Sequence, residues 1–60
     1  MIAFTVRQRV RVIERVDENY GRTGIIIYIH QDTQTATVRF DDNGEKLGYL
    51  LDDDELEAID

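Results

Sequence analysis

The residues able to do chemistry are few and can be taken one at a time. His30 is the only imidazole, set between the apolar run Gly24 to Ile29 and the polar stretch Gln31-Asp32-Thr33-Gln34. A general base needs a substrate proton within reach and a group that orients it, and a histidine that ends a strand before a polar turn fits an exposed, structurally idle role better. The chain contains no serine and no cysteine, so the commonest nucleophiles are absent. Asp52-Asp53-Asp54-Glu55 offers oxygens to a hard cation, but consecutive acids on a helical turn point in different directions and no spaced calcium loop accompanies them. The run reads as a solvated helix start favoured by the helix dipole. No catalytic residue, metal site or cofactor is expected.

Two other groups of residues suit contacts rather than catalysis. Arg7, Arg9 and Arg11 alternate along one segment and Arg22 follows the Tyr20-Gly21 turn, which makes these four the cations a nucleic-acid backbone would use. Tyr20, Tyr28 and Tyr49, with Arg22 and Ile27, are the candidate contacts for a protein partner. Tyrosine suits such a surface because it buries an apolar ring while its hydroxyl stays wet. The same property lets a tyrosine seal the rim of a small core, so the residue type alone does not separate the two roles.

Charge weighs on the choice of partner. The net charge of −6 is unevenly placed: residues 1–30 carry five arginines against Glu14, Asp17 and Glu18, a surplus of +2, whereas residues 31–60 carry Arg39 and Lys46 against ten acids, or −8. An acidic chain starts at a disadvantage for phosphate, so a protein partner with a basic surface is the expectation and nucleic acid the alternative. The N-terminal segment lacks the basic and long apolar stretches of a signal peptide, and no run approaches the roughly 20 apolar residues of a membrane span. A cytoplasmic protein of bacterial type is expected.

The elements that must position these residues are short strands in one domain covering residues 1–60. Val6, Val10 and Val12 alternate with arginines and predict a first strand from Val6 to Glu14. Val16 to Thr23 is rich in turn formers and reads as a loop, and Gly24 to His30 as the second strand. Thr35 to Phe40 alternates again, with Ala36, Val38 and Phe40 inward. Asn43-Gly44 suits a tight hairpin that returns Glu45 to Leu51 as strand four. Asp52 with Glu55 resembles a capping box, predicting a helical turn over Asp53 to Leu56 before Glu57-Ala58-Ile59 ends as a short strand. Five short strands with one helical turn before the last is the plan of a small, all-β, SH3-like barrel, in which closure removes the sheet edges.

The residues also carry a family resemblance. Arg9-Val10-Arg11-Val12-Ile13, Tyr20-Gly21-Arg22-Thr23-Gly24-Ile25-Ile26, Thr37-Val38-Arg39-Phe40-Asp41 and Asp54-Glu55-Leu56-Glu57-Ala58-Ile59 resemble the SH3-like barrel group, with the E-type protein of photosystem I and KOW-type domains nearest in pattern. The photosystem protein has a longer loop where this chain has Asp42-Asn43-Gly44-Glu45, and KOW domains bring several cations to the turn that here holds Arg22 alone. A third resemblance, to the type II dihydrofolate reductases that build an active site only as tetramers, rests on the opening strand and on the segment from Gly48 to Ile59. Their Val-Gln-Ile-Tyr signature is replaced by Gly48-Tyr49-Leu50-Leu51. This barrel hosts many unrelated roles, so the resemblance bears on fold more than on function. The reading is a non-catalytic protein-interaction or accessory module. A KOW-like nucleic-acid module is the alternative, and a reductase-like tetramer the second alternative.

One segment decides what the surface presents. Simple alternation along Gly24-Ile25-Ile26-Ile27-Tyr28-Ile29-His30 would bury Ile25, Ile27 and Ile29. The resemblance instead implies core positions at Ile26 and Ile29, which requires a bulge between them. In that register Ile25, Ile27 and Tyr28 lie at least partly outside, and exposed isoleucines there are candidates for self-association.

Overall fold

Strand β1, Arg9–Val12, shows the alternation the sequence promised: Val10 and Val12 are buried and both arginines exposed. In the computed structural model, which describes residues 4–59, the strand is shorter at both ends than Val6 to Glu14. The Gln8 amide donates to the Thr5 carbonyl (3.1 Å) across a turn in which Arg7 takes φ +76°, and this leaves Val6 exposed. At the other end the Asp17 amide turns back onto the Glu14 carbonyl (3.0 Å).

Strand β2, Thr23–His30, lies between β1 and β3, Thr35–Phe40. Its first half is held on both sides: Gly24 faces Val10 on β1 and Phe40 on β3. The strands come so close here that a Cβ on Gly24 would lie 2.5 Å from the Arg39 carbonyl oxygen and 2.8 Å from Val38 Cγ1. Between Ile26 and Tyr28 the register with β3 shifts, so that Ile26 faces Val38 and Tyr28 faces Thr37, leaving Ile27 as the extra residue of a bulge. The consequence is a change of parity. In regular alternation, with Ile27 paired, Tyr28 would share the inner face with Ile26; with the bulge, Ile26 is fully buried, Ile29 packs against the core, and Tyr28 is 59% exposed.

Strand β3 buries Ala36, Val38 and Phe40 as its alternation requires. Its link to β4, Lys46–Leu50, is a loop over residues 41–44 and not a two-residue turn. The Phe40 amide donates to the Glu45 carbonyl and the Gly44 amide to the Phe40 carbonyl. Gly44, at φ +74°, takes the left-handed position. Beyond β4, the Asp52 carbonyl accepts from the amides of Glu55 and Leu56 (both 3.1 Å), a single hydrogen-bonded turn instead of a helix. Asp52 caps the Asp54 amide (2.8 Å), and the Glu55 carboxylate accepts from the Leu50 amide (3.3 Å), so the reciprocal bonds of a capping box are not made. Strand β5, Leu56–Ala58, follows at once.

The fold is therefore all-β, one antiparallel sheet in the order β4-β3-β2-β1-β5. Among the described residues β4 and β5 do not pair, and the sheet is open between them. One face carries the core of Val10, Val12, Ile26, Ala36, Val38, Phe40, Tyr49 and Leu56, with Phe4, Ile29, Leu47 and Leu51 packed against it.

Candidate binding surface

The arginines of β1 point outward, as alternation demands, and meet carboxylates there. Arg11 pairs with Glu57 across the β1–β5 register (3.3 Å), and Arg9 reaches Asp41 at the end of β3 (2.6 Å). The Thr23 hydroxyl donates to the same Asp41 oxygen (2.8 Å). Exposed pairs of this kind stabilise by about 0–1 kcal/mol. Their larger effect is on potential, because each cation stands beside a fixed anion and offers less to a phosphate. Arg7 has no carboxylate partner among the described residues.

Arg22 is held more completely. Its guanidinium stacks over the Phe40 ring at 4.0 Å and donates to Asn19 Oδ1 (2.5 Å), Asp42 Oδ1 (2.7 Å) and Asn43 Oδ1 (3.1 Å), with Glu45 at 3.5 Å. The hydrogen bond to Asp42 raises the Arg22 pKa, and the same bond lowers that of Asp42. Asn19 also donates through Nδ2 to the Tyr49 hydroxyl (3.3 Å). The Tyr49 ring is buried, edge-on to Phe40, and burial raises its pKa. Arg22 and Tyr49 thus act together as a lid on the core. Asn19, which orients both, was visible in the sequence only as a turn former; nothing local announces a side chain that reaches a residue thirty positions on.

The other tyrosines stand apart. Tyr20 is 51% exposed at the end of the β1–β2 loop. Tyr28 lies five residues into β2, about 16 Å further along the strand from its first residue at ordinary rise, so the two do not form one aromatic cluster. Tyr28 packs edge-on against His30, ring centres 4.4 Å apart, and His30 Nε2 lies 3.4 Å from the Thr37 hydroxyl. The contacts given for His30 are thus an aromatic edge and a threonine hydroxyl. Ile27 is half-buried beside Tyr28.

The registers show what surrounds Tyr28 on the outer face. One row runs Arg9, Ile25, Arg39, Lys46 across four strands; the next runs Tyr28, Thr37, Gly48; the third runs His30, Thr35, Leu50. Arg39 and Lys46 are exposed and take part in none of the ion pairs among the described residues. They were not among the residues singled out from the sequence, because only the register reveals that they are neighbours.

Asp52, Asp53 and Asp54 bring one carboxylate oxygen each to within 4.8 Å of one another. Asp52 already uses an oxygen on the Asp54 amide, and Asp53 and Asp54 are exposed, which is the geometry of a solvated turn. Among the described residues no helix is long and apolar enough to cross a membrane. Comparison with known proteins finds no matching family model, no matching curated protein and no matching solved structure.

Proposed function

We propose that this chain is a non-catalytic binding module with an SH3-like barrel plan, and that it contacts a protein partner through the outer face around Tyr28 and Ile27. The strand order supports the barrel plan, since β1 pairs with both β2 and β5 while β2, β3 and β4 form a meander. The dimensions support it as well. The smallest principal extent is 21 Å, as a sheet curled around its core would give.

The observation that carries the binding role is Tyr28 itself. A large aromatic side chain stands 59% exposed on an interior strand of the sheet, turned outward by a bulge that also packs Ile29 against the core. Tyrosines presented in this way recur at protein interfaces. The other candidates are used within the fold: Tyr49 and Arg22 cover the core, and Arg9 and Arg11 face carboxylates. Pairing of those arginines weighs against the nucleic-acid reading, and the replacement of the reductase signature by Gly48-Tyr49-Leu50-Leu51, with Tyr49 buried in the core, weighs against the reductase reading.

The test is affinity capture from a source lysate with the wild-type chain and with Tyr28→Ser, each with and without nuclease. A captured protein that survives nuclease and disappears with Tyr28→Ser is the expected result. Capture that nuclease abolishes would transfer the role to nucleic acid, and reduction of dihydrofolate by the purified chain would transfer it to catalysis.

A further inference from the structure

The outer face has a chemistry opposite to that of the whole chain. Its rows on β2, β3 and β4 place Arg39 beside Lys46 and contain no carboxylate, although the chain carries −6 overall. Below these cations lies a position without a side chain, Gly48, in one row with Thr37 beside it and Tyr28 two strands away. Packing does not impose glycine there, since an added Cβ would meet only the Ala36 carbonyl oxygen at 4.0 Å. The face therefore offers two unpaired cations above a shallow floor with an aromatic wall.

The complementary feature is on the same molecule but out of its own reach. Asp53 and Asp54 are exposed beside Asp52, three like charges crowded within 4.8 Å without a cationic partner among the described residues. They follow β4, whereas Lys46 begins it, and the six residues from Lys46 to Asp52 span about 20 Å of extended chain. A cation on one copy can meet the acidic turn of another copy without straining either.

We infer that the occupant of the outer face is a second copy of this chain, docked by its Asp52–Asp54 turn against Arg39 and Lys46 over Gly48. This rests on the reading of the Tyr28 face as the contact surface and names its partner. A polyanion such as single-stranded nucleic acid is disfavoured, because the face is bordered by Asp41, Asp42 and Glu45 at one end and by Asp52–Asp54 at the other. A compact acidic turn covers only the cations. Two copies repel through their net charge, but at physiological salt that repulsion is screened beyond about 8 Å, while contact pairs persist. The contact is head-to-tail, so it builds chains or closes a ring instead of stopping at a two-fold dimer.

Sedimentation equilibrium of the full chain at 0.15 M salt tests this through charge reversal. Wild type is expected to gain mass with concentration up to about 1 mM, the range of weak contacts. Arg39→Glu/Lys46→Glu and Asp53→Lys/Asp54→Lys, all at exposed positions, are each expected to weaken association on the order of tenfold by placing like charges opposite one another. Mixing the two variants is expected to restore it. Thermal melts confirm that each variant is folded.

A wild-type chain that stays monomeric throughout, or association that ignores both reversals, overturns the inference. So does binding of a single-stranded oligonucleotide that Arg39→Glu/Lys46→Glu abolishes, in the absence of self-association. Capture of a foreign protein that depends on Tyr28 yet is indifferent to both charge reversals would leave the binding role standing and remove the second copy as its partner.

Discussion

The two halves of β2 solve opposite problems with one strand. From Thr23 to Ile26 it is flanked by β1 and β3, crossed at Gly24 by backbone too close for any side chain, and followed inward by Ile26 at the centre of the core. Beyond the bulge, among the described residues, it pairs with β3 alone and turns Tyr28 to solvent. The polar groups divide by face instead. Arg22, Asn19, Asp42 and Tyr49 bond one another over the core, whereas Arg39 and Lys46, on the outer face in the row of Ile25, have no internal anion among the described residues. The difference teaches that residue type alone does not mark a contact surface, since Arg22 and Tyr49 are used within the fold while Arg39, Lys46 and Tyr28 face outward.

The sharpest way to break the first half is Gly24→Ala. A methyl group 2.5 Å from a backbone oxygen cannot be accommodated by a rotamer change, so β2 and β3 must separate. A loss of about 3 kcal/mol is expected, at the upper end of ordinary overpacking. In a domain this small that is a large share of its stability, readable as an early urea midpoint. A wild-type midpoint would show that the strands are not held at this spacing.

A smaller effect comes from titrating the lid. The Asp42 pKa is lowered by its bond from Arg22, so the unfolded chain takes up that proton first as pH falls. Its stabilisation is present above the ordinary aspartate value of about 4 and is lost as pH falls below it toward the folded pKa. Tyr49 has the opposite sign. Burial raises its pKa, so its contribution is present below the ordinary value of about 10 and is lost as pH rises above it. Denaturant midpoints across pH should show both limbs, with Asp42→Asn flattening the acid side and Tyr49→Phe the alkaline side. Unchanged limbs in these variants would mean that the lid is not closed in solution.

A strained residue lies beside each half, and relieving the strain sharpens the comparison. Arg7, whose amide donates to the Ile26 carbonyl at the bulge, has φ +76°, and Gln34, in the turn after β2, has φ +57°. A left-handed non-glycine residue costs about 1–2 kcal/mol, partly offset by the greater freedom of glycine in the unfolded chain. Arg7→Gly and Gln34→Gly should each stabilise by about 0.5–1 kcal/mol. A lower melting temperature in either would refute that turn geometry.

Much of this was legible before the structure, and the losses have identifiable causes. Alternation located β3 to the residue and placed Ala36, Val38 and Phe40 inward, because period two needs nothing beyond the strand itself. The switch at Ile27 came from resemblance; simple alternation would have sent Ile25 and Ile27 inward. The late start of β1 had no signal, since arginine is not a residue that announces positive φ. Ion pairs were the least legible feature. Alternation says that Arg9 faces out, but only the sheet order tells that Asp41, thirty-two residues on, is waiting there.

The smallest stability effect belongs to the residue on which the proposed binding role depends. Tyr28 is 59% exposed and its ring touches chiefly His30, so Tyr28→Ser removes one edge-on aromatic contact and some β propensity from the outer face. The change in unfolding free energy should stay within about 0.5 kcal/mol, the range of surface substitutions. The corresponding change at Tyr49, a buried ring against Phe40 with its hydroxyl held by Asn19, opens a cavity and should cost about 3 kcal/mol or more. Paired urea titrations of the two serine variants measure the contrast directly. If Tyr28→Ser destabilises as much as its Tyr49 counterpart, Tyr28 is holding the fold together, and the outer face has no residue reserved for a partner.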